Sequence, residues 1–351
     1  MSTSTSNGGP RQWLRNFADE HLPSDNLFKG ILGALVIYLL IALVLGMFWS
    51  IAPDRFDVHE RAAQYAAEDG GEVVVGSVTT AALMGVMETL LDKPGGYLHN
   101  DRFPPGLWLD NIPNWEYGAL IQSRDLTRAM REAHSRSQSQ STEDEDLALA
   151  EPRFNFQSDS WILPASESEY RVGLKYTRAY FKRLSDISAS DAQFYARADN
   201  LRYWLATVDT RLGSLSQRLS ASVGQRRLNT DLAGDEVATQ STAVASEMIV
   251  QTAWTEIDDV FYEARGTVWA LIHFLKAAEV DFADVLEKKN AQVSMRQIIR
   301  ELEATQEFVW SPMILNGPGL GMLANHSLVM ASYMGRANAA IVDLRDVLSQ
   351  G

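Results

Sequence analysis

Cysteine is absent from all 351 residues, which excludes disulfides, thiolate nucleophiles and thiolate-ligated zinc or iron–sulfur centres. Basic residues are in short supply, with 31 Lys and Arg against 45 Asp and Glu and a net charge of −14. That balance excludes general affinity for nucleic acid, because neutralising phosphates requires a cationic surface. Strand-forming runs are nearly missing: Glu72–Val75 (EVVV) is the one convincing β-branched stretch and is too short for a sheet. What is plentiful is apolar content, 46% against 22% charged, enough for a buried core and too much for disorder. The length suits one large domain or two modest ones.

One apolar run stands apart. Ile31–Ala52 (ILGALVIYLLIALVLGMFWSIA) has 22 residues without a charge. As a helix it measures ~33 Å, a match for a hydrocarbon core of about 30 Å. Lys29 precedes it, and Trp49 with Asp54-Arg55 marks the far edge. Val268–Leu275 is no second span, being interrupted by His273 and followed by Lys276. A cleaved signal peptide fits poorly, since the leader is long and the run exceeds the usual length of about 7–15 residues. Pro53 directly after Ser50-Ile51-Ala52 is also a poor cleavage context. Residues 1–29 therefore read as a cytoplasmic leader, 30–52 as a transmembrane anchor in the lipid bilayer, and 53–351 as a soluble domain. Arg11, Arg15 and Lys29 before the run, against Arg55 and Arg61 after it, favour a cytoplasmic N-terminus. The expected location is the inner membrane, single-pass, with the main domain in the periplasm. Pro10–Phe17 reads equally as an interfacial turn or a disordered tail.

Charge is segregated along the soluble part. Residues 53–170 carry net −12, residues 171–227 net +7 and residues 228–351 net −9. A basic middle between acidic flanks favours ion pairing within the chain over an acidic partner outside it.

The apolar spacing is helical. Phe194, Ala198, Leu201, Leu205, Val208, Leu212, Leu215 and Leu219 alternate steps of four and three. A second series runs from Val250 through Trp254, Ile257, Phe261, Ala264, Val268, Leu271, Leu275, Ala278 and Phe282 to Val285, predicting a helix of about 36 residues. Met330, Met334, Ala337, Ile341, Leu344 and Leu348 form a third. Spacing near 3.5 residues points to a coiled-coil-like bundle. Shorter helices are expected at Thr79–Leu91, Trp115–Glu132 and Glu167–Leu184. His134–Glu151 reads as a loop in which Thr142 and Glu145 resemble a capping box, and Asn229–Asp235 with Gly234 as a break. Arg197, Arg211 and Arg218 flank the first seam, where they either pair with acids on a neighbouring helix or offer a surface to a partner. The fold class is all-α: a transmembrane helix, then an elongated helical bundle with two ordered Pro/Gly/aromatic loops.

Those loops are Lys93–Trp115, with four Pro, three Gly, two Trp, a Tyr and a Phe, and Ser311–Ser327. Proline and glycine exclude regular structure there, while the aromatics favour packing on the bundle. Pro105-Gly106-Leu107 and Pro318-Gly319-Leu320 hint at a duplicated unit. Catalytic templates fail one after another. The six histidines (21, 59, 99, 134, 273 and 326) are too widely spaced to announce a metal site, and His59-Glu60-Arg61-Ala62-Ala63 has Ala where a zinc motif needs its second His. No Gly-x-Ser-x-Gly elbow exists. Asn316–Gly321 (NGPGLG) lacks both the Lys-Ser/Thr and the preceding strand of a phosphate loop, and reads as a tight turn. Asn325 or Ser327 reads as a helix cap, and Asp258-Asp259 and Glu143–Asp146 as solvated faces. No cofactor or metal is expected.

The stretches KPGGYLHNDRFPPGLWLDNIPNWEYG, SQSQSTEDEDLALAEPRFNF, FYARADNLRYWL, RLGSLSQRLSASVG and NGPGLGMLANHSLVMASYMGRANAAIVDLRD carry a resemblance to family 2333 of bacterial domains of unknown function. It covers nearly all of the chain from about Trp49 onward. It implies a single-span inner-membrane protein of Gram-negative bacteria and brings neither an activity nor functional residues. The expected function is a non-enzymatic scaffold or adaptor of the cell envelope, engaging an envelope protein or a second copy. The contrasting expectation is a small-ligand-binding protein or enzyme with a pocket where the two loops meet. Its candidate groups are Tyr97, His99, Asp101, Arg102, Trp108, Asp110, Asn316, Asn325 and His326.

Overall fold

The computed structural model describes residues 26–136, 142–188, 191–228, 247–311 and 313–350. The leader and the Asn229–Asp235 break lie wholly or mostly outside them. Helix α1, Asn26–Trp49, contains the apolar run except its last three residues, Ser50–Ala52. Its segment Phe28–Trp49 is long and apolar enough to cross a membrane, as an anchor or as a signal sequence. The helix stops at Trp49, and the hydroxyl of Ser50 turns back to donate to the Gly46 carbonyl at 2.8 Å. Leu40, Leu43, Val44 and Met47 stand exposed, while Ala42 and Gly46 are covered by the rest of the chain.

Helix α2, Val58–Asp69, begins because the Asp57 carboxylate accepts from the amides of His59 (2.8 Å) and Glu60 (3.0 Å). It ends at Gly70, whose φ of 71° suits glycine. Helix α3, Ser77–Asp92, is buried at every residue from Ser77 to Met87, enclosed by α2 and three helices still to come in the chain. Its capping position is Gly76, which has no side chain to offer. The cap comes instead from a distant residue, Asp281, whose carboxylate accepts from Gly76 N at 2.8 Å and Thr79 N at 2.7 Å.

Then follow α4 (Asn111–Ala129, continued by a π turn at Met130–His134), α5 (Glu145–Phe154), α6 (Ser166–Ser185) and α7 (Ala198–Ser220). A small antiparallel pair joins β1 (Gln225–Leu228) to β2 (Glu247–Val250), in register from Gln225↔Val250 to Leu228↔Glu247. The chain closes with α8 (Ile257–Asp281), α9 (Ala283–Lys288), α10 (Gln292–Ala304) and α11 (His326–Ser349). The fold is all-α, eleven helices among the described residues, and α8 joins the layer of α3 and α4 to that of α7, α10 and α11.

The three shorter helices expected from the sequence are α3, α4 and α6, to within a turn at each end. From Ala198 onward the first series lies on α7, which packs against the α11 that carries the third, while Phe194 lies before the helix and packs on His134 and Phe282. The second is corrected: Val250 belongs to β2, Trp254 lies in an exposed 3-10 turn, and α8 spans 25 residues before Phe282 breaks it. A strict coiled-coil seam does not describe this core, because α8 is buried without interruption from Gly266 to Leu275. The His134–Glu151 loop is also shorter than expected. Helix α5 restarts at Glu145, and its cap is Asp144 rather than Thr142, accepting from Asp146 N at 3.0 Å.

Where α4 meets α8 their backbones touch. A Cβ added at Gly266 would fall 1.8 Å from the Trp115 carbonyl oxygen, and one at Gly118 2.1 Å from that of Glu263. The basic middle is neutralised within the chain: Arg171 pairs with Asp92, Arg178 with Glu68 and Asp69, and Arg183 with Asp144 and Asp146.

Candidate functional site

The loop between α3 and α4 is ordered by a residue that sequence patterning does not single out. Glu116, on the second turn of α4, is fully buried and accepts from the amides of Leu98 (3.0 Å) and His99 (2.8 Å). Its carboxylate lies 2.5 Å from the ammonium of Lys93, which is itself almost fully buried and also donates to the Gly96 carbonyl. Burial pushes the Glu116 carboxyl up to about 7 against the opposing pull of Lys93. An acid titrating near neutrality beside an amine would suit proton transfer. Neither group is open to solvent, however, with side-chain exposures of 0% and 2%. The pair acts as a clamp on the loop.

The candidate residues of this loop are spent in the same way. Tyr97 is buried, donates to the Ser158 carbonyl at 3.0 Å and meets Tyr170 edge-on. The His99 ring stacks on Tyr117 with Nδ1 3.1 Å from the Pro113 carbonyl, and burial lowers its pKa. Asp101 packs on Gly106, where a Cβ would fall 1.9 Å from Oδ2, and burial raises its carboxyl. Arg102 donates to the Asp159 carbonyl at 3.2 Å, and Asp110 accepts from Asn111 N at 2.8 Å to start α4. Trp108 is half-exposed.

The second loop is a narrow hairpin. Asn316 and Asn325 pair across it, Gly317 N donates to the Ala324 carbonyl at 3.0 Å, and Leu315 N donates to His326 Nδ1 at 3.1 Å. Asn325 is the cap of α11, accepting from Leu328 N at 2.8 Å while donating to the Gly317 carbonyl. The two Pro-Gly-Leu turns differ: Gly106 is buried in a 3-10 turn, whereas Gly319 sits at φ 73° in an exposed tip. His326 lines a cavity of about 260 Å³ with Phe261, Arg265, Phe308, Trp310 and Tyr333. No residue of Lys93–Trp115 lines that cavity.

On α7, Arg211 forms a two-pronged bond with Asp125 of α4 (2.7 and 3.0 Å), and Arg218 another with Glu263 of α8 (2.7 Å for both). Arg197 donates to the Arg136 carbonyl at 3.2 Å and lies over the Tyr195 ring. Arg211 and Arg218 also line a cavity of about 410 Å³, where the buried Gln122 amide has no hydrogen-bond partner. Among the described residues, no three His, Asp or Glu side chains converge as metal ligands would.

Fold and site together define a helical domain behind one apolar helix, its polar groups turned to holding its own loops. The chain belongs to a family of uncharacterized proteins conserved in bacteria (DUF2333), whose model matches residues 24–351. No curated protein and no solved structure matches it.

Proposed function

We propose that this protein is a non-enzymatic scaffold or adaptor of the bacterial cell envelope, with α1 as an uncleaved inner-membrane anchor and the helical domain in the periplasm. The observation that carries the reading is the use made of the reactive side chains. Glu116 and Lys93 clamp a loop, Asp110, Asp144 and Asn325 cap helices, and Asp281 caps α3 from a distance. Exposed apolar side chains such as Trp310, Leu320 and Met322 remain available for contact with an envelope protein or a second copy.

Crosslinking in native membranes, followed by identification of what is captured, tests the adaptor. The expected result is a specific envelope protein; recovery of the chain alone would replace the adaptor by self-association. Alkaline phosphatase fused after Gly351 must be active if the domain is periplasmic, and an inactive fusion reverses the orientation.

A further inference from the structure

A second apolar element lies beside α1. Phe103–Leu109 (FPPGLWL) is seven residues without a charge, and Phe103, Leu107 and Trp108 are 64, 55 and 50% exposed. Next to it, Trp161, Ile162 and Leu163 are 46, 61 and 90% exposed, and Phe103 meets Trp161 edge-on with ring centres 5.6 Å apart. Leu163 holds a φ of 60°, a left-handed conformation that is uncommon for a branched side chain. Six large apolar side chains thus face outward from two neighbouring segments, and each keeps about half or more of its surface exposed.

Contacts with α1 fix the level of the patch's first segment, Phe103–Leu109. Pro105 and Leu109 pack on Gly46, at 3.4 and 3.6 Å from the position of an added Cβ. Gly46 lies three residues before the end of α1, ~4.5 Å along its axis. The Tyr38 phenol reaches Pro104 from further down, donating to its carbonyl at 2.7 Å. The loop therefore runs alongside the last three turns of the apolar helix, between the levels of Gly46 and Tyr38, ~4.5 and ~16 Å from its end, a range that includes the depth of roughly 5–10 Å where interfacial elements sit in a bilayer.

The backbone of the loop suits that place. Each backbone group paired within the protein is one fewer to desolvate at the bilayer boundary. Pro104 and Pro105 have no N–H, and the amides of Leu107, Trp108 and Leu109 donate to the carbonyls of Phe103, Pro105 and Gly106 at 3.0 Å. The Pro104 carbonyl takes the Tyr38 hydroxyl.

We infer that Phe103–Leu109 and Trp161–Leu163 form a wedge inserted into the phospholipid boundary beside α1, so that the domain is seated on the bilayer at two places. The inference rests on the reading of α1 as a membrane anchor. Its occupant is the acyl-chain and glycerol layer of the leaflet on the domain side. Two-point seating restricts the rotation and tilt that a single helix would leave free.

The absence of native cysteine makes the test direct. Single-cysteine variants of the full chain, Leu107→Cys and Leu163→Cys, carry a spin label in phosphatidylethanolamine–phosphatidylglycerol vesicles. Leu43→Cys reports the span. Ile187→Cys is the aqueous control, exposed at the far end of α6, whose 20 residues start just after Leu163. The wedge labels are expected to collide with a water-soluble nickel chelate about fivefold less often than the Ile187 label, and with oxygen more often. If they are as accessible to nickel as the Ile187 label while the Leu43 label stays sheltered, the wedge is wrong and the anchor stands. A nickel-accessible Leu43 label overturns both. A protein covering these side chains in place of lipid gives the first of those failures, since the vesicles contain none.

Discussion

The amide of Phe56 donates to Nε2 of His273 at 3.2 Å, and the two rings stack with centres 4.1 Å apart. The other ring nitrogen of His273, Nδ1, lies 2.7 Å from the Trp269 carbonyl. A ring that donates at Nδ1 and accepts at Nε2 is neutral, and it fastens the chain leaving α1 to the centre of the bundle.

That neutrality has a pH consequence. Burial pushes the pKa of His273, and of the equally buried His134, down to about 4. The unfolded chain binds these protons at about 6.5, so it takes them up first as pH falls. The stability from both residues is complete above about pH 6.5 and lost on the way down to about pH 4, on the order of 3 kcal/mol for each. Glu116 acts in the opposite sense, because its raised carboxyl makes the folded chain the better proton binder between about 4.5 and 7. Melting temperature followed from pH 7 to 4 should fall less steeply for His273→Gln, whose amide can imitate both bonds. An unchanged slope would show that His273 is not neutral when folded.

Lys93 and Glu116 should behave as one unit. Lys93→Met leaves a buried carboxylate without its counter-charge, at a cost of about 3–5 kcal/mol. Glu116→Gln keeps an oxygen to accept from Leu98 and His99 but strands the ammonium. In a thermal-unfolding double-mutant cycle, the double variant should be less destabilised than the two single losses added together, by at least about 1 kcal/mol. Simple additivity would mean that the two charges do not interact.

The contrast between His273 and Glu116 indicates what was legible in the sequence. Helical spacing located α7 and α11 because one face of each is buried and the other is wet, so burial leaves a period in the sequence. The apolar period overshoots α8 at both ends, because Val250 and Trp254 keep the spacing before the helix and Val285 keeps it in α9 after the break at Phe282. Nor could local pattern reveal that Asp281 caps α3, since donor and acceptor lie 202 residues apart. Thr142 resembled a cap by spacing alone, whereas Asp144 is the cap and is held in place by Arg183 from another helix. The β1–β2 pair leaves little trace in the sequence, because QRRL and EMIV are four residues each and show little alternation. The candidate groups of the two loops were identifiable as polar residues among prolines, glycines and aromatics. Which of them line a common cavity is a tertiary fact.

Glycine substitutions should separate two kinds of helix contact. Gly266→Ala puts a methyl group into the Trp115 carbonyl and must push α4 from α8, costing about 3 kcal/mol or more. In α7, a Cβ at Gly213 meets only the Asn338 amide, at 3.5 Å, an ordinary contact. There Gly213→Ala should stabilise by about 0.5–1 kcal/mol, from the smaller loss of backbone freedom on folding. Opposite signs in denaturant midpoint are expected; equal losses would mean that backbone approach is not what Gly266 provides.

The arginines offer the sharpest test of where the basic middle spends its charge. Arg183 bonds to Asp144 at 2.8 Å and Asp146 at 2.7 Å, with these carboxylates largely shielded from solvent. Arg211 is half-exposed, but its partner Asp125 has only 5% side-chain exposure. Replacing both with glutamate sets like charges against these buried carboxylates. Exposed pairs contribute little and buried ones much, so the Arg211 contribution is discounted for its solvent contact. Arg183→Glu with Arg211→Glu should still lose several kcal/mol together, about a 5–10 °C lower melting temperature. The two sites share no hydrogen-bond partner, so their losses should nearly add. An unchanged melting temperature accompanied by loss of a crosslinked partner would show the opposite, that these arginines serve an outside surface and their internal pairs are incidental.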